Sequence, residues 1–66
     1  MKAKVQLTDS YSGRSMNVIV NLENTEFDKY EFTWGCLSDG QRRKVKGFFG
    51  EQNAYHTTHE IIKTYE

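Results

Sequence analysis

The sequence predicts a small α+β domain: a three-stranded antiparallel β-meander packed on one face by an amphipathic helix, followed by a C-terminal second helix or fourth strand. Three observations predict it. Apolar and polar residues alternate in successive stretches of the first half, the period then lengthens to that of a helix, and short turn-forming groups separate the stretches. With 66 residues and no composition shift or linker, the chain reads as a single domain over residues 1–66. A domain of this size buries only about 60% of the surface its unfolded chain exposes, so its stability is small.

In the first stretch, Lys2 to Thr8, Ala3, Val5 and Leu7 point one way and Lys2, Lys4, Gln6 and Thr8 the other. Such period-two alternation is that of a half-buried strand. Asp9-Ser10-Tyr11-Ser12-Gly13 is turn-forming. In the second, Ser15 to Leu22, the apolar set is Met16, Val18, Val20 and Leu22, opposed by Asn17, Ile19 and Asn21. After the turn at Glu23-Asn24-Thr25-Glu26, Tyr30, Phe32 and Trp34 alternate with Lys29, Glu31 and Thr33, and aromatic residues favour strands. Consecutive strands joined by short turns predict a meander.

Ser38 followed three residues later by Gln41 is a capping-box signature, and Asp39 suits the positive end of a helix dipole. Leu37, Gln41, Val45, Phe48 and Phe49 fall within an arc of about 120° at helical spacing. Gly50 stands where a C-terminal cap belongs. A helix from about Ser38 to Phe49 follows. Ala54 to Tyr65 is ambiguous. Helical periodicity gathers Ala54, Tyr55, Thr58, Ile61, Ile62 and Tyr65, whereas its Thr, Ile and Tyr content favours a strand. The strand alternation is poor, because Ile61 shares a face with His59 and Lys63 while Ile62 sits with Glu60, so periodicity favours the helix. The expected core is Val5, Leu7, Val18, Val20, Leu22, Phe32 and Trp34 against Val45, Phe48, Phe49 and part of the C-terminal segment. The expected solvent face of the sheet carries Lys2, Lys4, Gln6, Asn17, Ile19, Asn21, Lys29, Glu31 and Thr33.

The nine Lys and Arg balance nine Asp and Glu, which weighs against a dedicated nucleic-acid binder. Cys36 is the single cysteine, so no intrachain disulfide and no paired-cysteine zinc spacing exists. A lone thiol fits a reducing compartment. The N-terminal residues lack a signal-peptide apolar core and no run is long enough to span a bilayer, so a cytoplasmic, non-membrane protein is expected.

Chemistry is sparsely encoded. His56 and His59 lie three apart with Glu60 after the second, unlike the zincin pattern of four apart with Glu after the first. Two solvated histidines are the plainer account. Cys36 just ahead of a helix could have a depressed thiol pKa, but no base is set beside it, and packing is the commoner role of a free cysteine. Gly35, Gly40, Gly47 and Gly50 match no phosphate-binding loop. The chain is therefore expected not to be an enzyme, and to need no cofactor or metal.

The leading expectation is a non-catalytic interaction module that binds and modulates, as an inhibitor for instance, a protein partner. Its interface candidates are Tyr11, Arg14, Ile19, Phe27, Tyr55 and Tyr65, as surplus aromatics and Arg favour interfaces. The alternative is a DNA- or RNA-binding accessory protein. It would use the basic helix face of Arg42, Arg43, Lys44 and Lys46, or Lys2, Lys4 and Lys29 on the polar sheet face, where Asn17 and Asn21 could read adenine. Unpaired strand edges and a small core also allow a homodimer.

Overall fold

The computed structural model describes residues 1–24 and 29–65. Its elements in chain order are β1 (Lys2–Asp9), β2 (Ser15–Asn21), β3 (Glu23–Asn24), β4 (Tyr30–Glu31), a 3-10 turn (Trp34–Cys36), α1 (Asp39–Phe49), a second 3-10 turn (Asn53–His56) and β5 (Thr57–Tyr65). The main sheet has three antiparallel strands in the order β2-β1-β5, and β3 pairs with β4 in a separate two-stranded ladder. The α+β class and the antiparallel three-stranded sheet are as expected. The meander is not.

β1 and β2 follow directly from alternation. Ala3, Val5 and Leu7 are buried, as are Val18 and Val20 facing them from β2, with Val5 directly opposite Val18. The hairpin between them is set by Asp9. Its Oδ1 accepts the Tyr11 N–H at 3.0 Å and its Oδ2 accepts the Ser12 hydroxyl at 2.9 Å. Gly13 sits at φ 73°, a left-handed conformation that suits glycine.

α1 forms where the capping box places it. The Ser38 Oγ accepts the Gln41 N–H at 3.2 Å, and the Gln41 Oε1 accepts the Ser38 N–H at 2.9 Å. The same Gln41 side chain donates through Nε2 to the Ile19 carbonyl at 2.6 Å. One amide thus closes the helix N-terminus and fastens it to the outer edge of β2. At the other end Gly50, at φ 92°, donates its N–H to the Lys46 carbonyl and ends the helix. α1 turns Val45 and Phe49 into the core beside Leu37 and Ala54, with Met16, Phe32, Trp34, Cys36 and Phe48 packed partly buried around them. Full burial of a Val, Leu or Phe side chain contributes about 1.5–3 kcal/mol.

The third strand of the sheet is the C-terminal segment, correcting two expectations. Tyr30–Trp34 does not pair with β2. Only Tyr30 and Glu31 are in a strand, opposite Asn24 and Glu23, and Trp34 begins a 3-10 turn. Ala54–Tyr65 is not a helix. From Thr57 it runs beside β1, which would otherwise leave one edge unpaired along its whole length. A nine-residue strand satisfies that edge. Tyr30–Trp34, closed off by Gly35, is too short to do so, and instead sends Phe32 and Trp34 to cover the part of the sheet that α1 leaves bare.

A β-bulge explains why the alternation of β5 reads poorly. Lys4 pairs with Lys63 and Val5 with Ile61, so Ile62 has no partner and the side-chain parity reverses across it. Thr57, His59, Ile61 and Thr64 stand opposite Asp9, Leu7, Val5 and Ala3 on the inner face. Thr58, Glu60, Lys63 and Tyr65 stand opposite Thr8, Gln6, Lys4 and Lys2 on the outer face. The outer face is therefore corrected too: Lys29, Glu31 and Thr33 are not on it, and these four residues of β5 take their place.

Candidate functional site

Three surface regions gather the side chains that sequence reasoning singled out. The first is the outer face of the main sheet, which no helix covers. Its cross-strand rows are Asn21–Lys2–Tyr65, Ile19–Lys4–Lys63 and Asn17–Gln6–Glu60. Lys2, Ile19 and Tyr65 line a shallow, open depression of about 350 Å³. The Lys63 Nζ lies 5.2 Å from the centre of the Tyr65 ring, a cation–π distance. Lys4 and Lys63 are directly opposite one another, and like charges so placed repel. Among the described residues the face thus holds three lysines against one carboxylate, that of Glu60, around an apolar pair. The ion pair found among the described residues lies elsewhere, between Arg42 and Asp39 at 3.7 Å.

The second region is a depression of about 230 Å³ on the inner side, lined by Leu7, Phe32, Trp34, Ala54, Tyr55, Thr57 and His59 among others. Ligand sites usually span about 300–1,000 Å³. Phe32 and His59 pack with ring centres 5.0 Å apart, and Trp34 and Tyr55 5.2 Å apart, each pair tilted. The Thr57 hydroxyl donates to the Ala54 carbonyl at 3.3 Å. These contacts are aromatic packing and a turn hydrogen bond. His56 stands in the preceding 3-10 turn, so the two histidines do not share the helix face that a paired ligand set requires. Among the described residues, no three His, Cys, Asp or Glu side chains are grouped to hold a metal ion.

The third region is α1's basic face, which the fold disperses. Arg42 leans on Asp39. Lys46 lies 5.4 Å from the Tyr55 ring centre, and hydrogen bonding and charge from Tyr55 hold its ammonium above the usual lysine value of 10.5. Arg43 and Lys44 are exposed, as is Lys29 just ahead of β4.

The remaining candidates scatter. Tyr11 is 85% exposed at the β1–β2 hairpin tip. Arg14 is a fastener: its guanidinium stacks 4.1 Å from the Phe48 ring centre and donates to the Phe48 carbonyl at 3.2 Å, where a cation suits the helix C-terminus. Tyr55 is exposed on the inner side, remote from Ile19 and Tyr65, while Phe27 lies outside the described residues. Cys36 sits in the 3-10 turn ahead of α1. Its Sγ accepts the Thr33 N–H at 3.5 Å and donates to the Glu31 carbonyl at 3.8 Å, which is a packing role. Of the six interface candidates the fold brings together Ile19 and Tyr65. It adds Lys63, which sequence reasoning missed because the bulge hides which face it occupies.

The site and fold define a small α+β domain with one bare, lysine-bearing sheet face. The chain matches no family model, no curated protein and no solved structure. No helix among the described residues is long and apolar enough to cross a membrane.

Proposed function

We propose that this domain is a non-catalytic interaction module whose outer sheet face binds a protein partner and modulates it. The observation that carries this reading is the uncovered face, where Ile19 and Tyr65 provide an apolar centre and Lys2, Lys4 and Lys63 surround it. Such a face fits a partner that offers an apolar contact ringed by Asp and Glu, with opposite charges steering the encounter. The lone thiol of Cys36 supports action in the reducing cytoplasm.

A nucleic-acid reading has one specific observation in its favour: Glu31 is off this face, so among the described residues Lys2, Lys4 and Lys63 meet Glu60 as the one carboxylate. The balanced overall charge and, among the described residues, one ring on that face weigh against it, since single-strand binders use several stacked aromatics.

Affinity capture from the native cell separates the two. The wild-type chain, and a variant with Arg43→Ala and Lys44→Ala on the helix, retain a stoichiometric protein in the presence of nuclease. Ile19→Asp with Lys4→Glu lowers that retention about tenfold or more, a loss of at least about 1.4 kcal/mol of binding. Salt-sensitive retention on DNA that is abolished by Lys4→Glu with Lys63→Glu, with no protein retained in the presence of nuclease, would establish the nucleic-acid reading instead.

A further inference from the structure

We propose that two copies of the chain join edge to edge along β5, about a twofold axis between Ile61 and Ile62, forming one six-stranded antiparallel sheet. This inference goes beyond the outer-face reading and rests on the free edge of β5, whose Glu60 and Lys63 also belong to that face.

β5 is an edge strand of nine residues. No hydrogen bond joins its outer edge to another described segment. Such an edge is a template for another strand. At its middle Ile61 and Ile62 are 38% and 49% exposed. The outer edge of β2, by contrast, is held by Gln41 at Ile19.

The bulge determines which register a second copy can take. A twofold axis normal to the sheet requires residues facing each other across it to lie on the same side of the sheet. In an unbroken strand, each such register centres on a residue facing its own copy. Here a register centred on Ile61 would set inner-facing His59 against outer-facing Lys63, and one centred on Glu60 would set two carboxylates together. Because parity reverses at Ile62, the sequence of faces is symmetric about the Ile61–Ile62 bond. With the axis there, Ile61 meets Ile62 of the second copy and Glu60 meets its Lys63. His59 then meets its Thr64, and Thr58 its Tyr65. The last three pairings each lie on a common face, and the Glu60–Lys63 pairing occurs twice by symmetry.

The charges agree with this arrangement. Within one chain Lys63 stands opposite Lys4. A carboxylate arriving on its other side offsets that repulsion, and cross-strand pairs of opposite charge are favourable. Burial of the isoleucines at the axis supplies the apolar centre. The dimer also joins the two outer faces into one surface bearing Lys2, Lys4 and Lys63 from each copy.

Sedimentation equilibrium over a range of concentrations tests the proposal, with circular dichroism to confirm that each variant folds. The wild-type mass rises with concentration from 7.7 kDa toward twice that value. Glu60→Lys alone and Lys63→Glu alone each raise the dissociation constant about tenfold or more, because each makes both charge pairs repulsive. Mixing these two variants one to one restores the dimer, since each supplies charges opposite to those of the other. A wild-type chain that stays monomeric at millimolar concentration overturns the proposal and leaves the outer-face reading standing. Folded variants that dimerise as well alone as when mixed overturn it as well.

Discussion

Replacing Leu7 by Ala leaves the domain barely folded at 25 °C. Leu7 is 1% exposed, near the end of the strand that pairs on both sides. It stands between Met16 and His59 in register and beneath Phe32, Trp34 and Tyr55. Truncating a buried leucine costs about 2–5 kcal/mol through lost transfer energy and the cavity left behind. The cavity cannot close readily here, because Leu7 is fixed by two ladders. A domain of this length holds about 3–10 kcal/mol in total. Urea titration followed by Trp34 fluorescence therefore shows a midpoint lowered by a large fraction of the wild-type value. A midpoint within error of wild type would mean that Leu7 is not in the core. Ile61→Ala, on the exposed edge, moves the midpoint little by comparison.

Replacing Asp9 by Ala is the second large loss. Asp9 is the buried charged side chain among the described residues, at 2% exposure. Its two oxygens accept from the Tyr11 amide and the Ser12 hydroxyl, and its own N–H and carbonyl bond Arg14 and Gly13 at 2.9 and 2.8 Å. Alanine removes the charged acceptor of the Tyr11 amide and the Ser12 hydroxyl, costing about 1.5–3 kcal/mol. The hairpin also positions Arg14 against Phe48, so loosening it frees the C-terminal end of α1. Asp9→Asn keeps acceptor capacity and falls between wild type and alanine in the same urea titration. If neither asparagine nor alanine lowers the midpoint, the turn is held by backbone geometry rather than by the carboxylate.

Much of this fold was legible in the sequence because local rules and the final structure agree. The alternation of β1 and β2 survives intact. So does the helix from its Ser38–Gln41 capping box to Gly50, since both its caps are local. What misled was the competition for the free edge of β1. Tyr30–Trp34 and Thr57–Tyr65 are both rich in strand-forming residues, and which one pairs is settled by length across the sheet, a non-local quantity. The bulge at Ile62 compounded this, as an unmatched residue looks like failed alternation until its partner strand is known. The same features decided the site. Ile19 stood out as an apolar residue on a polar face, whereas its neighbours Tyr65 and Lys63 could be placed only after β5 was assigned. Gln41 was read as a cap, but its second bond to the Ile19 carbonyl joins elements more than twenty residues apart and leaves no local signature.

The account depends most on Thr57–Tyr65 being a strand with one edge on β1 and the other free. Amide hydrogen exchange at low micromolar concentration tests this directly. Residues on either side of Ile62 should show alternating protection, with amides turned toward β1 slow and the alternate ones exchanging like exposed backbone. Uninterrupted protection through consecutive residues, as in a helix, or uniform fast exchange along the segment would contradict it.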